Sequence, residues 1–255
     1  MKPTVRDVHE QGALPGISNE RALVDTAMVQ EAIDIEKRIS AQGSVEAPQG
    51  ESPIVTLKGS GHIIVTAPHA TESFREGRFR ISDGGGTAAL AHMLNRLGSA
   101  TVLYTQYRSP SDPNYYDDNE FKETLAALID RQRPTMVLDI HGSNDFRPYD
   151  IDIGTLNGKS LLGNTSLLPS LLESLQQEGI GNFSDNYFDA ETHQTITRFA
   201  CAKGVPTIQL EISSTWLRPS EGGMMAHRFA QLLQGLARYA RQLPVHSNGA
   251  SKAAT

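Results

Sequence analysis

A histidine and a glutamate three positions apart, His69 and Glu72, follow directly on the apolar run Ile63-Ile64-Val65-Thr66-Ala67-Pro68. A second histidine stands near the end of another such run, Val137-Leu138-Asp139-Ile140-His141-Gly142. An imidazole and a carboxylate at the first spacing point the same way from a turn or a first helical turn, so both can reach one cation. With His141 as the third ligand the set leaves a tetrahedral Zn2+ ion one open position for water, the arrangement of hydrolytic rather than structural zinc. Pairs at this spacing also arise by chance, and a strand-end histidine also serves as a hydrogen-bonded core residue; it is the occurrence of all three together that favours a ligand set.

Three further residues join this reading. Asp139 precedes His141 by two residues on the same strand, faces the same side, and either orients a ligand or pairs with an arginine. Glu211 interrupts the apolar strand Thr207-Ile208-Gln209-Leu210-Glu211-Ile212-Ser213, where a carboxylate is unfavourable unless paired or used. It reads as the general base that takes a proton from metal-acidified water and passes it to a leaving amine, with a buried ion pair to an arginine as the alternative. His193 is a substrate contact, a helper in proton transfer, or an exposed helix-start residue. The stretch Ser82-Asp83-Gly84-Gly85-Gly86-Thr87 lacks the Lys-Ser/Thr ending of a phosphate loop and reads as a flexible cap for the helix that follows. Tyr115-Tyr116-Asp117-Asp118 is a polar loop, either bordering a pocket or forming a plain turn.

The elements that must position these residues follow from periodicity. Residues 1–18 lack a period and read as a loose arm, and from an N-cap at Asn19 the apolar positions fall at helical spacing up to Gly43. Residues 43–52 are a Gly, Pro and Ser linker. Ile54–Leu57 and Ile63–Thr66 flank Lys58-Gly59-Ser60-Gly61 and read as a hairpin whose second strand delivers the chain to His69. Strands are predicted at 100–105, 135–140, 150–155 and 205–212, and helices at 87–97, 119–131, 167–178, 191–203 and 219–243. This alternation predicts an α/β fold, a three-layer mixed sheet flanked by helices, with ligands at the carboxyl ends of strands. The chain divides into an N-terminal arm and helix packed on the main domain (1–52), one hydrolase-type domain (53–243) and a disordered tail (244–255).

Composition narrows the partners. With 23 basic against 29 acidic residues among 255, a net charge of −6, the chain has no basic field to gather phosphate backbones, and nucleic acid is not expected as a partner. Its one cysteine, Cys201, forms no internal disulfide, which fits a reducing cytoplasm. No apolar run approaches membrane-spanning length, so a soluble, cytoplasmic protein acting on a small molecule or short peptide is expected, of undetermined oligomeric state.

Taken together, His69-x-x-Glu72, Asp139-Ile140-His141-Gly142, Asp150-Ile151-Asp152-Ile153-Gly154-Thr155 and Gln209-Leu210-Glu211-Ile212 resemble the N-formylglutamate amidohydrolase family, relatives of the zinc carboxypeptidases, over about residues 63–243. The resemblance implies a phosphorylase/hydrolase-like α/β fold, one zinc ion held by His69, Glu72 and His141, and Glu211 as acid/base. The implied reaction is hydrolysis of a linear amide in a small N-acyl, formyl-type amino acid or a related peptide. Metallocarboxypeptidase and γ-glutamyl hydrolase activities are the alternatives in this class, and a noncatalytic ligand-binding protein of the same fold is the alternative outside it. Carboxypeptidase-like relatives use an Asn-Arg pair to hold a substrate carboxylate, whereas the corresponding stretch here is Asp112-Pro113-Asn114-Tyr115-Tyr116, with the asparagine but without the arginine. That role passes to another guanidinium among Arg108, Arg147, Arg198 and Arg218, of which Arg147, following His141 within one loop, and Arg198, on the helix after His193, are favoured. The substrate-binding set is therefore read as Asn114, Arg147, Arg198 and His193.

Overall fold

A computed structural model describes residues 22–243. The N-cap expected at Asn19, the arm over 1–18 and the tail over 244–255 lie outside the described residues. Nine strands and six α-helices follow one another among those described: α1 (Thr26–Gln42), β1 (Ile54–Leu57), β2 (Ile63–Ala67), β3 (Ser73–Arg75), β4 (Arg78–Arg80), α2 (Gly85–Gly98), β5 (Thr101–Thr105), α3 (Glu120–Gln132), β6 (Met136–Ser143), β7 (Ile151–Gly154), α4 (Leu167–Gln176), β8 (Phe183–Asp185), α5 (Ile196–Ala202), β9 (Thr207–Ser213) and α6 (Gly223–Gln242).

Seven strands form one mixed sheet in the order β1-β5-β2-β6-β9-β7-β8, and β3 and β4 make a separate two-stranded hairpin. β5, β2, β6 and β9 run parallel, so their carboxyl ends share one edge; β1 pairs antiparallel with β5 and β7 antiparallel with β9, and β8 runs parallel to β7. The near-continuous apolar character of β2, β6 and β9 is what burial on both faces requires. Alternate residues feed two cores: Ile63, Val65, Met136, Leu138 and Ile140 pack with α1, α2, α4 and α6, whereas Ile64, Leu103 and Val137 pack with α3 and α5. The three-layer α/β sheet expected from sequence is the fold. No helix among the described residues is long and apolar enough to cross a membrane.

Two local expectations are corrected. β1 and β2 are not a hairpin, because β5 lies between them. Lys58-Gly59-Ser60-Gly61 must pass over the start of β5: Gly59 N–H donates to Thr101 Oγ1 at 3.0 Å, Gly61 N–H donates to Ser99 O at 2.7 Å, and a Cβ at Gly59 would stand 2.2 Å from Ser99 O. The glycines serve that crossing rather than a tight turn. The helix expected from Glu191 begins only at Ile196, where Thr195 caps it by accepting from Arg198 N–H at 3.1 Å. Residues 191–194 are thereby left as loop.

Candidate active site

The parallel strands deliver their ends to one place. His69 follows β2 in a turn, His141 stands near the end of β6, and Glu211 sits directly beside His141 in the β6–β9 register. Asp139 and His141 point toward the α3 and α5 face, as their spacing of two dictates. The loops that enter those two helices, residues 112–119 and 186–195, complete the wall. The result is a cavity of about 430 Å³ whose floor holds His69, His141, Asp83 and Glu211.

His69, His141 and Asp83 form one group. His69 Nδ1 and His141 Nδ1 are 3.2 Å apart, and Asp83 Oδ2 lies 3.2 Å from the latter and 3.7 Å from the former. Each imidazole turns its other nitrogen to a carboxylate: His69 Nε2 to Asp112 Oδ1 at 2.7 Å, His141 Nε2 to Asp139 Oδ2 at 3.0 Å. These outer carboxylates are themselves held, Asp139 by the Thr66 hydroxyl at 2.7 Å and Asp112 by the Asn114 N–H at 2.9 Å. With both Nε2–H groups committed outward, the two Nδ1 lone pairs and a carboxylate oxygen face one another, an acceptor-only arrangement that calls for a cation or a proton at its centre. A tetrahedral ion with ligands at about 2.0–2.1 Å separates them by about 3.3 Å, close to the spacings observed, and two imidazoles with one carboxylate suit zinc better than magnesium or calcium.

Electrostatics agree with this arrangement. Burial opposes the charge on Asp83, but Arg80 and the two imidazoles outweigh it and hold the carboxyl well below the usual range. Burial likewise opposes the charge on Asp112, but His69 draws the carboxyl down to about 2. Burial and Arg80 push His69 down, whereas at His141 the Asp139 and Asp83 carboxylates overcome burial and raise it. Burial pushes the Glu211 carboxyl up to about 8, with His141 opposing and Asp83 and Asp139 reinforcing. Glu211 Oε1 accepts from Gln209 Nε2 at 3.2 Å, and no ion pair to an arginine is present at Glu211 among the described residues.

Glu72 stands outside this group. After the turn at 68–71 the chain does not continue as a helix but runs into β3, and the Glu72 carboxylate takes Nε and Nη2 of Arg108 at 3.1 and 2.8 Å. The spacing of three from His69 therefore does not bring the two side chains together. Asp83 occupies the third position instead: the chain returns from the β3–β4 hairpin, Asp83 N–H donates to His69 O at 2.8 Å, and Gly142 N–H donates to Asp83 Oδ2 at 3.2 Å. Gly142 is required there, since a Cβ would stand 2.9 Å from Asp83 O. The stretch read as a flexible helix cap thus carries a member of the group, its only sequence signal an aspartate between a strand end and three glycines.

Asn114 and His193 both line the cavity. Asn114 Oδ1 accepts from Ile196 N–H at 2.7 Å, so it also fixes the start of α5. Arg147 does not line the cavity; its guanidinium packs on Phe146, Tyr187 and Phe188, the last two of which do. Arg198 lies outside as well, donating from Nη1 to Glu191 O and His193 O and so pinning the loop that presents His193. Arg108 is taken by Glu72, and Arg218 by Asp145, Glu221 and Ser214. The guanidiniums that do line the cavity, Arg75 and Arg80, come from the hairpin that short, charged strands hid from a sequence reading. Asp152 has a supporting part: its carboxylate accepts from Tyr187 N–H, Phe188 N–H and Ser184 Oγ–H at 3.1, 2.8 and 2.6 Å, shaping the 186–188 wall.

This fold is similar to that of the N-formylglutamate amidohydrolase from Ralstonia eutropha, with a TM-score of 0.52 and 15% sequence identity over 74% of this chain and 98% of that one. A bacteriophage poly-gamma-glutamate hydrolase gives a TM-score of 0.48 and 20% identity over 76% of this chain and 92% of that one. No family model matches the sequence, and no curated protein matches it. At these identities the likeness is one of fold, a mixed α/β sheet flanked by helices.

Proposed function

We propose that this chain is a zinc-dependent amidohydrolase that cleaves a linear amide in a small N-acyl, formyl-type amino acid or a related short peptide. One observation carries the reading: two imidazole Nδ1 atoms and the Asp83 carboxylate facing one another in a cavity, each imidazole backed by its own carboxylate. His69, His141 and Asp83 would hold the ion, with Asp83 taking the role expected of Glu72. A divalent ion there supplies a Lewis acid that polarises a carbonyl oxygen and acidifies water.

The protein's own groups do the rest. Asp112 and Asp139 keep both Nε2–H groups outward, which fixes the ring orientations and leaves Nδ1 available. Glu211 is the acid/base: Gln209 steadies Oε1, so Oε2 takes the proton of the attacking water and delivers it to the departing nitrogen. A carboxyl raised by burial is suited to returning that proton. Asn114 and His193 orient the substrate from the wall, and Arg147 supports the same end of the cavity through the Tyr187 and Phe188 rings.

The test is turnover of N-formyl and N-acetyl amino acids by wild type and Glu211→Gln, with metal content measured on both. Unchanged metal with a loss of about 10²- to 10⁴-fold in kcat is expected. Equal turnover in the variant removes Glu211 from the chemistry. Absence of turnover by metal-loaded wild type on any such amide favours a ligand-binding protein.

A further inference from the structure

The β3–β4 hairpin is the excursion between two members of the group, His69 before it and Asp83 after it. Its ends are closed by the hydrogen bond from Asp83 N–H to His69 O at 2.8 Å, and its turn at Glu76-Gly77 has both residues at positive φ, 50° and 78°. The first strand is stitched to the segment that carries Asp112: Phe74 N–H donates to Ser109 O at 3.0 Å, and Asp112 N–H donates to Phe74 O at 2.9 Å. Each strand also sends an arginine into the site. Arg80 Nη2 donates to Asp83 Oδ1 at 2.9 Å, the oxygen opposite the one that faces the imidazoles, and Arg75 Nη1 lies 3.5 Å from Asp112 Oδ2, opposite the oxygen that takes His69 Nε2. Among the described residues Asp83 is the only ion-pair partner of Arg80, and Arg80 Nη1 is buried without a hydrogen bond.

We propose that this hairpin is a retention clip for the metal ion and that Arg80 is its main positioning residue, locking the Asp83 carboxylate so that Oδ2 points at the two Nδ1 atoms. The inference rests on the metal reading above and adds a determinant that acts on the ion through Asp83 rather than as a ligand. An aspartate on a loop samples several rotamers; a guanidinium on the distal oxygen removes that freedom before the ion arrives. Arg75 does the same for His69 at one remove, through Asp112, and more weakly, given its longer contact and its position at the more exposed end of the hairpin.

The test is zinc affinity by competition with a chromophoric chelator, on full-length wild type, Arg80→Gln, Arg80→Lys, Asp83→Ala and the double variant Arg80→Gln/Asp83→Ala. Arg80→Gln is expected to weaken zinc binding about 10- to 100-fold, with Arg80→Lys recovering part of the loss. In the Asp83→Ala background the Arg80 substitution should have no further effect, which a merely structural arginine would not show. Equal affinity for wild type and Arg80→Gln, or losses that multiply in the double variant, overturns the clip. No zinc binding by wild type overturns the metal reading itself and the clip with it, whereas wild-type binding that is indifferent to Arg80 defeats only the clip. Where Arg80→Gln fails to fold, zinc binding by Arg80→Lys that is weaker than wild type but stronger than Asp83→Ala, with a metal-free melting temperature unchanged from wild type, would count in favour, and Arg80→Lys at wild-type affinity or losing zinc as fully as Asp83→Ala would count against.

Discussion

Glu211 lies beside His141 in the sheet, and its burial ties the stability of the fold to pH. In the metal-free protein burial holds its carboxyl at about 8, above the ordinary 4.5. A group whose folded pKa is raised contributes stability that is fully present below the unfolded pKa and is lost as pH rises through the folded value. Metal-free wild type should therefore lose stability between about pH 4.5 and 8 through this group. Glu211→Gln should gain on it by on the order of 2 kcal/mol at pH 9 relative to pH 5, allowing for partial exposure, as read by chemical denaturation. A difference that does not change with pH would contradict the assignment. His141 supplies a second pH effect, because its raised affinity for a proton competes with metal for Nδ1. Zinc uptake near neutral pH should release about one proton, so that the calorimetric enthalpy varies with the ionisation enthalpy of the buffer; an enthalpy independent of buffer would show that His141 is neutral before binding.

The strands that end at the site were legible at the scale of elements. β2, β6 and β9 are apolar runs broken, short of their terminal residues, by Thr66, Asp139, His141, Gln209 and Glu211, and a polar residue in such a run stands out against the core around it. The third member of the group was not legible. Glu72 has the right type and spacing, but whether residues three apart meet depends on a helical continuation that β3 denies. Asp83 arrives only because a hairpin of three-residue strands folds back, and periodicity has too few positions there to register. Strand order was hidden for a related reason: β1 and β5 pair across more than forty residues of sequence, and nothing local marks the crossing except two glycines. Close approach at Gly142 offers a test at this scale. Gly142→Ala must push Asp83 away and should weaken zinc binding about tenfold while leaving the sheet intact by circular dichroism; unchanged affinity would mean that the 82–84 loop adapts freely. Asn114→Ala removes the acceptor for Ile196 N–H and should lower stability by about 1 kcal/mol in a denaturant titration.

For the molecule as a whole, the three facing donor atoms of His69, Asp83 and His141 come from the turn after β2, the loop after the hairpin and the end of β6, so an ion bound there would join segments that the hydrophobic cores hold only indirectly. An ion that binds the folded state alone adds about 4 kcal/mol at a thousandfold excess over Kd, equivalent to a rise of about 10 °C in Tm for a domain of this size. Differential scanning with zinc and then with chelator should show that rise and its reversal, and Tm values indifferent to both would argue against a site formed by the fold. The most direct measurement of the central claim is zinc content by plasma mass spectrometry on wild type, Asp83→Ala and Glu72→Ala purified side by side. Near-stoichiometric zinc in wild type and Glu72→Ala with little in Asp83→Ala is the predicted result; zinc lost from Glu72→Ala and kept by Asp83→Ala, or absent from all three, would contradict it.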